Sequence, residues 1–277
     1  ASVTNEAEGR EMSRNYGVWL GMLNDCMIDG IETSPRGFKI RELEDYKITI
    51  DPMYPFMNFK HRNLKINYFK QEMLWKLSGD PFNRAIMQHA KMWESVQNND
   101  GSFNSNYGQY WFGEQMGLFV AFNELVKDVY SRRAVIPMLR ASHIGPQVKD
   151  TVCTESVGFR IRNGVLNMSV HMRSSDQIFG LGTDMPTFAF LQRLLHGMLR
   201  SVYPDLALGS LAIVAMSSHI YERHFDMVNL IRNDQSVAEC SLMPIPSVAE
   251  AFKIAASGGS VDASWGHLAH WLVTEGV

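Results

Sequence analysis

The sequence is poor in cysteine, and its few cysteines are not arranged as a disulfide framework or a zinc site. Cys26, Cys153 and Cys240 are odd in number, lie far apart, and form neither a CxxC pair nor a Cys/His ligand spacing. We therefore expect no structural disulfide and no bound metal. A single thiol is more often a small buried side chain than a reactive group, so a reactive role needs support from the surrounding residues.

The chain also lacks an excess of charge of either sign and a long apolar run. With 26 basic and 29 acidic residues its net charge is -3, so no overall field would hold a nucleic acid or an anionic membrane surface. No apolar run approaches the roughly 20 residues that span a bilayer, and the N-terminus lacks the basic-then-apolar order of a secretory signal. We expect a cytoplasmic protein without nucleic-acid or membrane partners, in which any phosphate is bound by a local cluster of side chains.

One domain is predicted for residues 1–277, because no repeat, low-complexity segment or Gly/Pro-rich linker interrupts them. Apolar residues recur at helical spacing over residues 10–29, 63–78 and 115–130, which predicts a helix in each segment. Asp29-Gly30 supplies a stop signal for the first of these helices.

Further along the chain the pattern changes to that of β-strands. Between residues 157 and 172, apolar residues alternate with other residues on either side of Asn163-Gly164, a pair that accepts the positive φ angles of a tight hairpin turn. We also predict a helix that begins at Pro186, a strand around residues 211–214 and a helix from about Tyr221. Helices and strands are thus mixed without a regular βαβ alternation, which indicates an α+β fold.

The residues most suggestive of chemistry lie between 150 and 186. Cys153 is followed by the predicted hairpin and then, at fixed spacing, by Arg173, Ser174, Asp176, Gly180 and Asp184. This arrangement resembles the thymidylate synthase superfamily. Four more blocks agree with that family in order: Gln-Glu-Met-Leu-Trp at 71–75, Asn-Tyr-Gly at 106–108, Ser-Arg-Arg at 131–133 and His-Ile-Tyr at 219–221. The resemblance implies a thymidylate synthase-like fold, a central mixed β-sheet packed with helices, and a homodimer that forms through the sheet.

A cysteine nucleophile has a clear use in this family. C5 of a pyrimidine nucleotide is a poor nucleophile, and a thiolate that adds to C6 makes the ring enolate-like, so that C5 can attack the one-carbon unit of 5,10-methylenetetrahydrofolate. The resemblance gives this catalytic role to Cys153. A free thiol needs a nearby positive charge to be ionised at neutral pH, and Arg173 or the arginines at the bound phosphate would provide it. Cys26 and Cys240 are expected to be inert.

Arginine suits a phosphate because its planar guanidinium gives bidentate, permanently charged hydrogen bonds. The resemblance implies a phosphate site formed by Arg132, Arg133, Arg173 and Ser174, with Arg132 and Arg133 donated across the dimer interface. From the residues alone, Arg132 and Arg133 fit equally well as the solvated end of the preceding helix, stabilised by the helix dipole. Arg36, in an early loop, is a further candidate for a phosphate contact.

The resemblance also assigns the other catalytic groups. Glu72 would take part in proton transfer above the pyrimidine, because a carboxylate beside a desolvated ring can exchange protons with bound water. Tyr107 would assist proton removal at C5, and Asp176 would act at the folate. From the residues alone, Glu72 fits a surface charge and Tyr107 fits ordinary aromatic packing.

Contacts to the folate and to the sugar are implied in the same way. Trp93, Asp176 and Gly180 are similar to the family's pterin contacts, with Gly180 leaving room for the ring. His219 and Tyr221 are similar to the pair that hydrogen-bonds the sugar 3′-hydroxyl. Without the resemblance, each of the latter two is more often a satisfied core residue.

Asp184 stands where synthases that form dTMP typically have Asn. Uracil presents an acceptor beside a donor, which an amide satisfies, whereas cytosine presents its N4 amino donor beside the N3 acceptor, which suits a carboxyl group that shares a proton with N3. An unpaired buried polar group costs about 1–3 kcal/mol, which gives roughly tenfold to a hundredfold selectivity. Asp184 therefore favours a cytosine nucleotide. The alternative is that Asp184 only caps the helix that begins near Met185 and Pro186.

Several blocks depart from the synthases and are similar to the phage deoxycytidylate hydroxymethylases. They are Val152-Cys153-Thr154, Met172-Arg173-Ser174, Thr183-Asp184, residues 104–108, residues 219–225, and Val96 in place of a second Trp. The resemblance implies that water adds to C5-methylene-dCMP, an intermediate that a synthase would reduce, and that a phage-encoded enzyme would act in the host cytoplasm. Alternatives are hydroxymethylation of dUMP, dTMP formation, or a non-catalytic nucleotide- or RNA-binding homologue. In the family a C-terminal tail closes over the ligands, and residues 271–277 match it only in ending with a small apolar residue.

Overall fold

A computed structural model of the chain describes residues 3–240 and 242–274, with side chains from residue 15 onward. It has the predicted α+β fold, in which a mixed sheet is packed with helices. Within the described residues the strands are β1 (Ile31–Thr33), β2 (Ile40–Ile50), β3 (Val135–Pro137), β4 (Thr154–Arg162), β5 (Val165–Asp176) and β6 (Ala207–Tyr221). The helices there are α1 (Val3–Asp29), α2 (Ile66–Leu77), α3 (Met92–Val96), α4 (Gly108–Trp111), α5 (Gly117–Lys127), α6 (Phe179–Leu199), α7 (Phe225–Asn233), α8 (Val248–Ala255) and α9 (His267–Val273).

The sheet brings its two long central strands together at one end. The strand order is β1-β2-β6-β5-β4-β3, and β5 runs parallel to β6 while the other neighbours are antiparallel. A parallel pair needs a crossover connection, and α6 supplies it. The C-terminal ends of β5 and β6 therefore lie side by side, with Asp176 opposite His219 at the point where the chain turns into α6.

The hairpin predicted around Asn163-Gly164 is confirmed. Both residues have positive φ angles, 51° and 72°, as a two-residue turn of this kind requires. In β5, which follows the turn, the apolar residues face the core and alternate with polar residues on the opposite face. The buried residues are Leu166, Met168, Val170 and Met172, and the opposite face carries Asn167, Ser169, His171 and Arg173.

The three predicted amphipathic helices are present as α1, α2 and α5. In α2, Phe69, Met73 and Leu77 pack into the main core, as their spacing predicts. The same helix also buries three charged residues, Lys70, Glu72 and Lys76. Charged side chains are almost never fully buried without a partner, so α2 serves more than packing.

The prediction that a helix begins at Pro186 is wrong, because α6 begins seven residues earlier at Phe179 and contains Pro186 in its interior. An internal proline loses one helical hydrogen bond and costs about 3 kcal/mol. Nearly every residue from Leu181 to Leu199 is buried, and this packing outweighs the local cost. The strand predicted at 211–214 lies within β6, and the helix predicted from about Tyr221 is one short 3-10 turn followed by α7.

Among the described residues, no helix combines the length and the apolar character that crossing a bilayer requires. Helix α9 ends at Val273, and the last part of the C-terminal tail, residues 275–277, lies outside the described residues.

Candidate active site

Cys153 lies in a bend just before β4, where the fold holds an arginine against its sulfur. The backbone N–H of Arg173, near the end of β5, donates to the Cys153 carbonyl at 2.9 Å. The Arg173 guanidinium is fixed by hydrogen bonds to the carbonyls of Val152 (2.9 Å) and Thr151 (2.7 Å), and its Nη2 lies 3.6 Å from Cys153 Sγ. Cys153 is half-buried. Of the arginines expected to provide a positive charge beside the thiol, Arg173 is the one whose guanidinium contacts the sulfur in this chain.

The surroundings of Cys153 disfavour its ionisation in the single chain. Burial raises the pKa of the Cys153 thiol, and the charges of Asp184 and Asp150 add to this effect. Arg173 lowers the same pKa, and Arg36 also lowers it from the exposed loop between β1 and β2. The structure therefore places Arg36 within electrostatic reach of Cys153. A stable thiolate needs more positive charge than these two arginines provide.

The other two cysteines have surroundings typical of inert thiols. Burial raises the pKa of Cys26 to about 12, and its thiol donates a hydrogen bond to the Arg41 carbonyl at 3.2 Å. Burial raises the pKa of Cys240 to about 11. Cys26 is therefore protonated, whereas Cys153 receives an N–H from a guanidinium.

Two carboxyl groups, Glu72 from α2 and Asp184 from α6, face the same site. Glu72 Oε1 accepts a hydrogen bond from Lys76 Nζ at 2.6 Å, and both side chains are buried. Asp184 is half-buried, and burial raises its pKa to about 7, with Lys76 opposing this shift and the charges of Glu72 and Asp176 adding to it. A carboxyl group that titrates near neutral pH is typical of functional sites.

The interpretation of Asp184 as a helix cap is wrong. A cap satisfies the free N–H groups of the first turn, and Asp184 is the sixth residue of α6. Asp176 occupies that place instead, because its carboxylate accepts hydrogen bonds from the amides of Ile178 at 3.0 Å and of Gly180 at 3.4 Å. The side chain of Asp184 is therefore available to the site.

Tyr107 connects the cysteine to the carboxyl groups. Its hydroxyl accepts a hydrogen bond of 3.1 Å from Thr154, the residue after Cys153, and its ring is stacked on Phe188 at 6.3 Å. Burial raises the pKa of Tyr107 well above its usual value, and the charges of Asp184 and Cys153 add to this. Tyr107 is therefore a neutral hydroxyl near Cys153.

Trp93 is held in a small aromatic cluster with Trp75 and Phe103 and is 8% exposed. Its indole N–H donates to the Tyr68 hydroxyl at 3.0 Å. Burial raises the pKa of Tyr68, and the charge of the nearby Glu72 adds to this effect. The indole is therefore held by a tyrosine that lies near Glu72, and its contact with a folate stays a prediction.

Asp176 and Gly180 lie together at the start of α6. A Cβ at Gly180 would meet the Asp176 Cβ at 3.3 Å and would otherwise point into open space, consistent with room for a ligand. Arg62 stands on the other side of Asp176, buried and 5.2 Å from the centre of the Phe179 ring. Its guanidinium fits because Gly182 has no side chain, since a Cβ there would lie 2.5 Å from Arg62 Nη2.

His219, Tyr221 and Ser174 lie at the same end of the sheet as Arg173 and Asp176. His219 is buried, and burial lowers its pKa while the charge of Asp176 raises it. The Tyr221 ring is edge-on to His219 at 5.1 Å, and Ser174 pairs with Ser217 across β5 and β6. The arrangement offers hydroxyl and imidazole groups beside the arginine.

Arg132 and Arg133 are exposed in the segment before β3, an edge strand. Helix α5 ends at Lys127, so both lie beyond the last turn in which a helix dipole acts, and their interpretation as the end of that helix is wrong. Arg133 Nε is 3.9 Å from Glu124, and its side chain is 82% exposed. Neither arginine is among the charges that act on Cys153 in its own chain.

Sequence reasoning missed Lys76, Tyr68, Thr187 and Arg62. Lys76 carried a visible signal, because it follows Glu72 by four residues, but such pairs usually lie on helix surfaces. Tyr68 falls within the helical apolar pattern of residues 63–78, which predicts only packing, and nothing near Arg62 in the sequence indicates its position near Asp176. Across the described residues, no cluster of three or more His, Cys, Asp and Glu side chains is placed to hold a metal ion.

Residues 18–257 match the family model for thymidylate synthase. The chain belongs to the thymidylate synthase family. Its relatives include the deoxycytidylate 5-hydroxymethyltransferases of Enterobacteria phage T6, 29% identical over 175 residues, and of Enterobacteria phage T4, 28% identical over 178 residues, each match covering 60% of this chain and 71% of the relative. The deoxyuridylate hydroxymethyltransferase of Bacillus phage SP01 is 25% identical over 221 residues, which are 74% of this chain and 56% of the relative.

Membership confirms the resemblance and the fold predicted from the sequence. An enzyme of the thymidylate synthase family transfers a one-carbon unit from methylenetetrahydrofolate to a pyrimidine nucleoside monophosphate. The phage relatives are hydroxymethyltransferases that are named for different bases, cytosine in two cases and uracil in the third. Identities below 30% leave the base and the final product to be argued from the site.

Proposed function

We propose that this enzyme transfers the one-carbon unit of 5,10-methylenetetrahydrofolate to C5 of dCMP and that water completes the product, 5-hydroxymethyl-dCMP. The observation that carries the proposal is Asp184, a half-buried carboxyl group whose pKa is raised to about 7. Its charge acts on Tyr107 and Cys153, which supports a position beside the pyrimidine ring.

The raised pKa of Asp184 suits a cytosine base. Because burial raises the pKa of Asp184 to about 7, its neutral form is populated at neutral pH. The neutral group donates its proton to N3 and accepts a hydrogen bond from the N4 amino group. An ionised carboxylate offers only acceptors and leaves N3 without a donor.

In the proposed reaction Cys153 is the nucleophile, and Glu72 and Tyr107 move protons. Cys153 Sγ forms a bond to C6, and C5 then forms a bond to the one-carbon unit that the folate supplies. A proton leaves C5 to solvent through Tyr107 and Glu72, and the folate amine departs as tetrahydrofolate. The oxygen of water adds to the exocyclic carbon, and the C6–Sγ bond breaks to restore the ring. No reductant is consumed.

The remaining ligand contacts are part of the same proposal. Arg173, Ser174 and Arg36 bind the nucleotide phosphate together with Arg132 and Arg133 of a second copy of the chain in a homodimer. His219 and Tyr221 bind the deoxyribose, and Trp93, Asp176 and Gly180 contact the folate. Two observations support a shared site. Arg132 and Arg133 are exposed and can reach a second chain. Within one chain, burial and the two aspartates raise the pKa of Cys153 by more than Arg173 and Arg36 lower it, so a further positive charge is needed.

Product analysis tests the proposed function directly. The purified enzyme is incubated with methylenetetrahydrofolate and labelled dCMP, dUMP or CMP, and both the nucleotide and the folate products are measured. We expect 5-hydroxymethyl-dCMP with tetrahydrofolate. Formation of dTMP with dihydrofolate would instead identify a synthase, and no turnover of any nucleotide would identify a non-catalytic homologue.

Hydroxymethylation of dUMP is the second candidate. It is favoured by the Bacillus phage relative, whose match covers more of this chain than those of the deoxycytidylate enzymes. A preference for dUMP in the same incubation, with tetrahydrofolate as the folate product, would decide for it.

A shared active site predicts complementation between two inactive variants. Cys153→Ala and the double variant Arg132→Ala/Arg133→Ala are each inactive, yet a heterodimer has one site with both lesions and one with neither. Random exchange should restore about a quarter of the wild-type activity, because half of the dimers are mixed and each has one intact site. Subunit exchange is verified by mass, and its completion without recovery of activity would show that each chain uses its own arginines.

A further inference from the structure

Lys76 is a buried cation whose partners all belong to the candidate site. Its side chain is 2% exposed, and its ammonium group lies 2.6 Å from Glu72 Oε1 and 3.3 Å from Thr187 Oγ1. The ammonium also lies 5.1 Å from the centre of the Tyr107 ring. The ammonium therefore donates two hydrogen bonds, to Glu72 of α2 and Thr187 of α6, and makes a cation–π contact with the ring of Tyr107, the residue before α4.

The hydrogen-bond directions show that these partners are arranged to receive a positive charge. Thr187 donates its own proton to the Thr183 carbonyl at 2.9 Å, so that its oxygen is free to accept from Lys76. The Tyr68 hydroxyl, which accepts the N–H of Trp93 at 3.0 Å, also lies near Glu72: burial raises the pKa of Tyr68, and the charge of Glu72 adds to this effect. Lys76 donates to the Glu72 carboxyl group at 2.6 Å and forms a buried ion pair with it.

Asp184 has a different environment although it is close by. In the described residues Lys76 makes its short ion pair with Glu72 and acts on Asp184 only through space. The titratable and charged groups that interact with one or both of these carboxyl groups are Tyr68, Lys76, Tyr107, Cys153 and Asp176. Among them Lys76 is the cation in direct contact with a carboxyl group, so its position decides which of the two is neutralised by an ion pair.

We propose that Lys76 is a positioning residue that fixes which carboxyl group of the site carries a proton: it holds Glu72 ionised and leaves the proton on Asp184. The proposal rests on the proposed function, because reading cytosine needs a donor at Asp184 and moving the C5 proton needs an acceptor at Glu72. Two carboxyl groups with opposite tasks require environments that separate their titrations. Lys76 supplies that difference through a single contact.

The kinetic test replaces Lys76 by methionine, which keeps the length of the side chain and removes its charge. Without the ammonium, Glu72 becomes a buried carboxyl group that takes up a proton at neutral pH. We expect kcat with dCMP to fall about tenfold to a hundredfold at pH 6.5. The loss should become smaller toward pH 9, where Glu72 is again deprotonated.

The matched control is Lys70→Met, on the same helix. Lys70 is also buried, but its ammonium donates to the Thr274 carbonyl at 3.1 Å and lies 4.6 Å from the centre of the Trp271 ring, outside the candidate site. This variant should keep the wild-type pH profile. A loss of the same factor at every pH in Lys76→Met, or unchanged kinetics, would contradict the proposal. The pH dependence of Cys153 alkylation must be the same in Lys76→Met as in the wild-type protein. If it shifts together with the pH profile of kcat, the lysine acts on the thiol and not on Glu72.

A measurement without substrate separates this proposal from the proposed function. Carbon-13 NMR of carboxyl-labelled protein gives one signal that is lost in Glu72→Gln and one that is lost in Asp184→Asn. In the wild-type protein at pH 6 we expect the first to be that of a carboxylate and the second to be that of a neutral acid, with Asp184 titrating near neutral pH. If Glu72 is neutral and Asp184 is ionised, the proposed role of Lys76 is wrong, even if dCMP is the substrate. If Glu72 is ionised and Asp184 is neutral, the role of Lys76 stands, even if the enzyme prefers dUMP.

Discussion

Replacement of Cys153 by alanine is expected to abolish turnover, with a fall in kcat on the order of a thousandfold or more, because no other group can form the bond to C6. Nucleotide binding should survive, since the phosphate, sugar and base contacts come from other residues. Activity and nucleotide binding are measured on the same preparation. Loss of binding together with activity would point to a damaged fold instead of a missing nucleophile.

The matched control is Cys240→Ala, which removes a second half-buried thiol of raised pKa. It should retain turnover, and mass spectrometry after reaction with a 5-fluoropyrimidine nucleotide and methylenetetrahydrofolate should show an adduct in this variant but not in Cys153→Ala. Normal turnover by Cys153→Ala would refute covalent catalysis at this residue.

Replacement of Asp184 by asparagine is expected to shift the substrate preference from dCMP toward dUMP. The amide presents a fixed N–H donor where cytosine has only the N4 donor, whereas uracil offers a matching acceptor and donor. One or two mismatched buried hydrogen bonds change the ratio of the two kcat/KM values by about tenfold to a thousandfold. The ratio is measured by competition of both nucleotides in one reaction.

The pH dependence of that ratio provides the control. The raised pKa of Asp184 means that the neutral form dominates below about 7 and is lost above it. The preference of the wild-type enzyme for dCMP should therefore weaken as the pH rises through 7, and Asp184→Asn, which cannot ionise, should show no such change. A ratio that neither the substitution nor the pH alters would remove the main argument for cytosine.

The positions of the main site residues could be predicted from the sequence where local patterns determine them. Asn163-Gly164 fixes the register of the hairpin from Arg162 opposite Val165 to Ser156 opposite His171. The turn alone does not place Arg173 beside Cys153, because a β-bulge between Thr154 and Ser156 shifts the register by one residue before that point. The β5 alternation then determines which side chains face the core. Such features depend on residues that are near in sequence, so the chain itself contains the necessary information.

The features that could not be predicted from the sequence depend on packing between distant segments. Pro186 suggested a helix start, yet burial of α6 against the core carries the helix through it. Lys76 and Glu72 form an i,i+4 pair that looks like a surface feature, and only the approach of Thr187 and Tyr107 shows that the pair is enclosed. The suggested helix cap at Asp184 was wrong for the same reason, because the helix extends toward Asp176.

The burial that raises the pKa of Cys153 also affects how readily this cysteine is oxidised. A protonated thiol reacts slowly with peroxides and other electrophiles, because the thiolate is the species that they attack. The buried thiol of Cys153 in a single chain is therefore shielded from irreversible oxidation to sulfinic and sulfonic acids. In the homodimer that we propose, the thiol would become reactive only when the arginines of the second copy and the nucleotide are bound beside it.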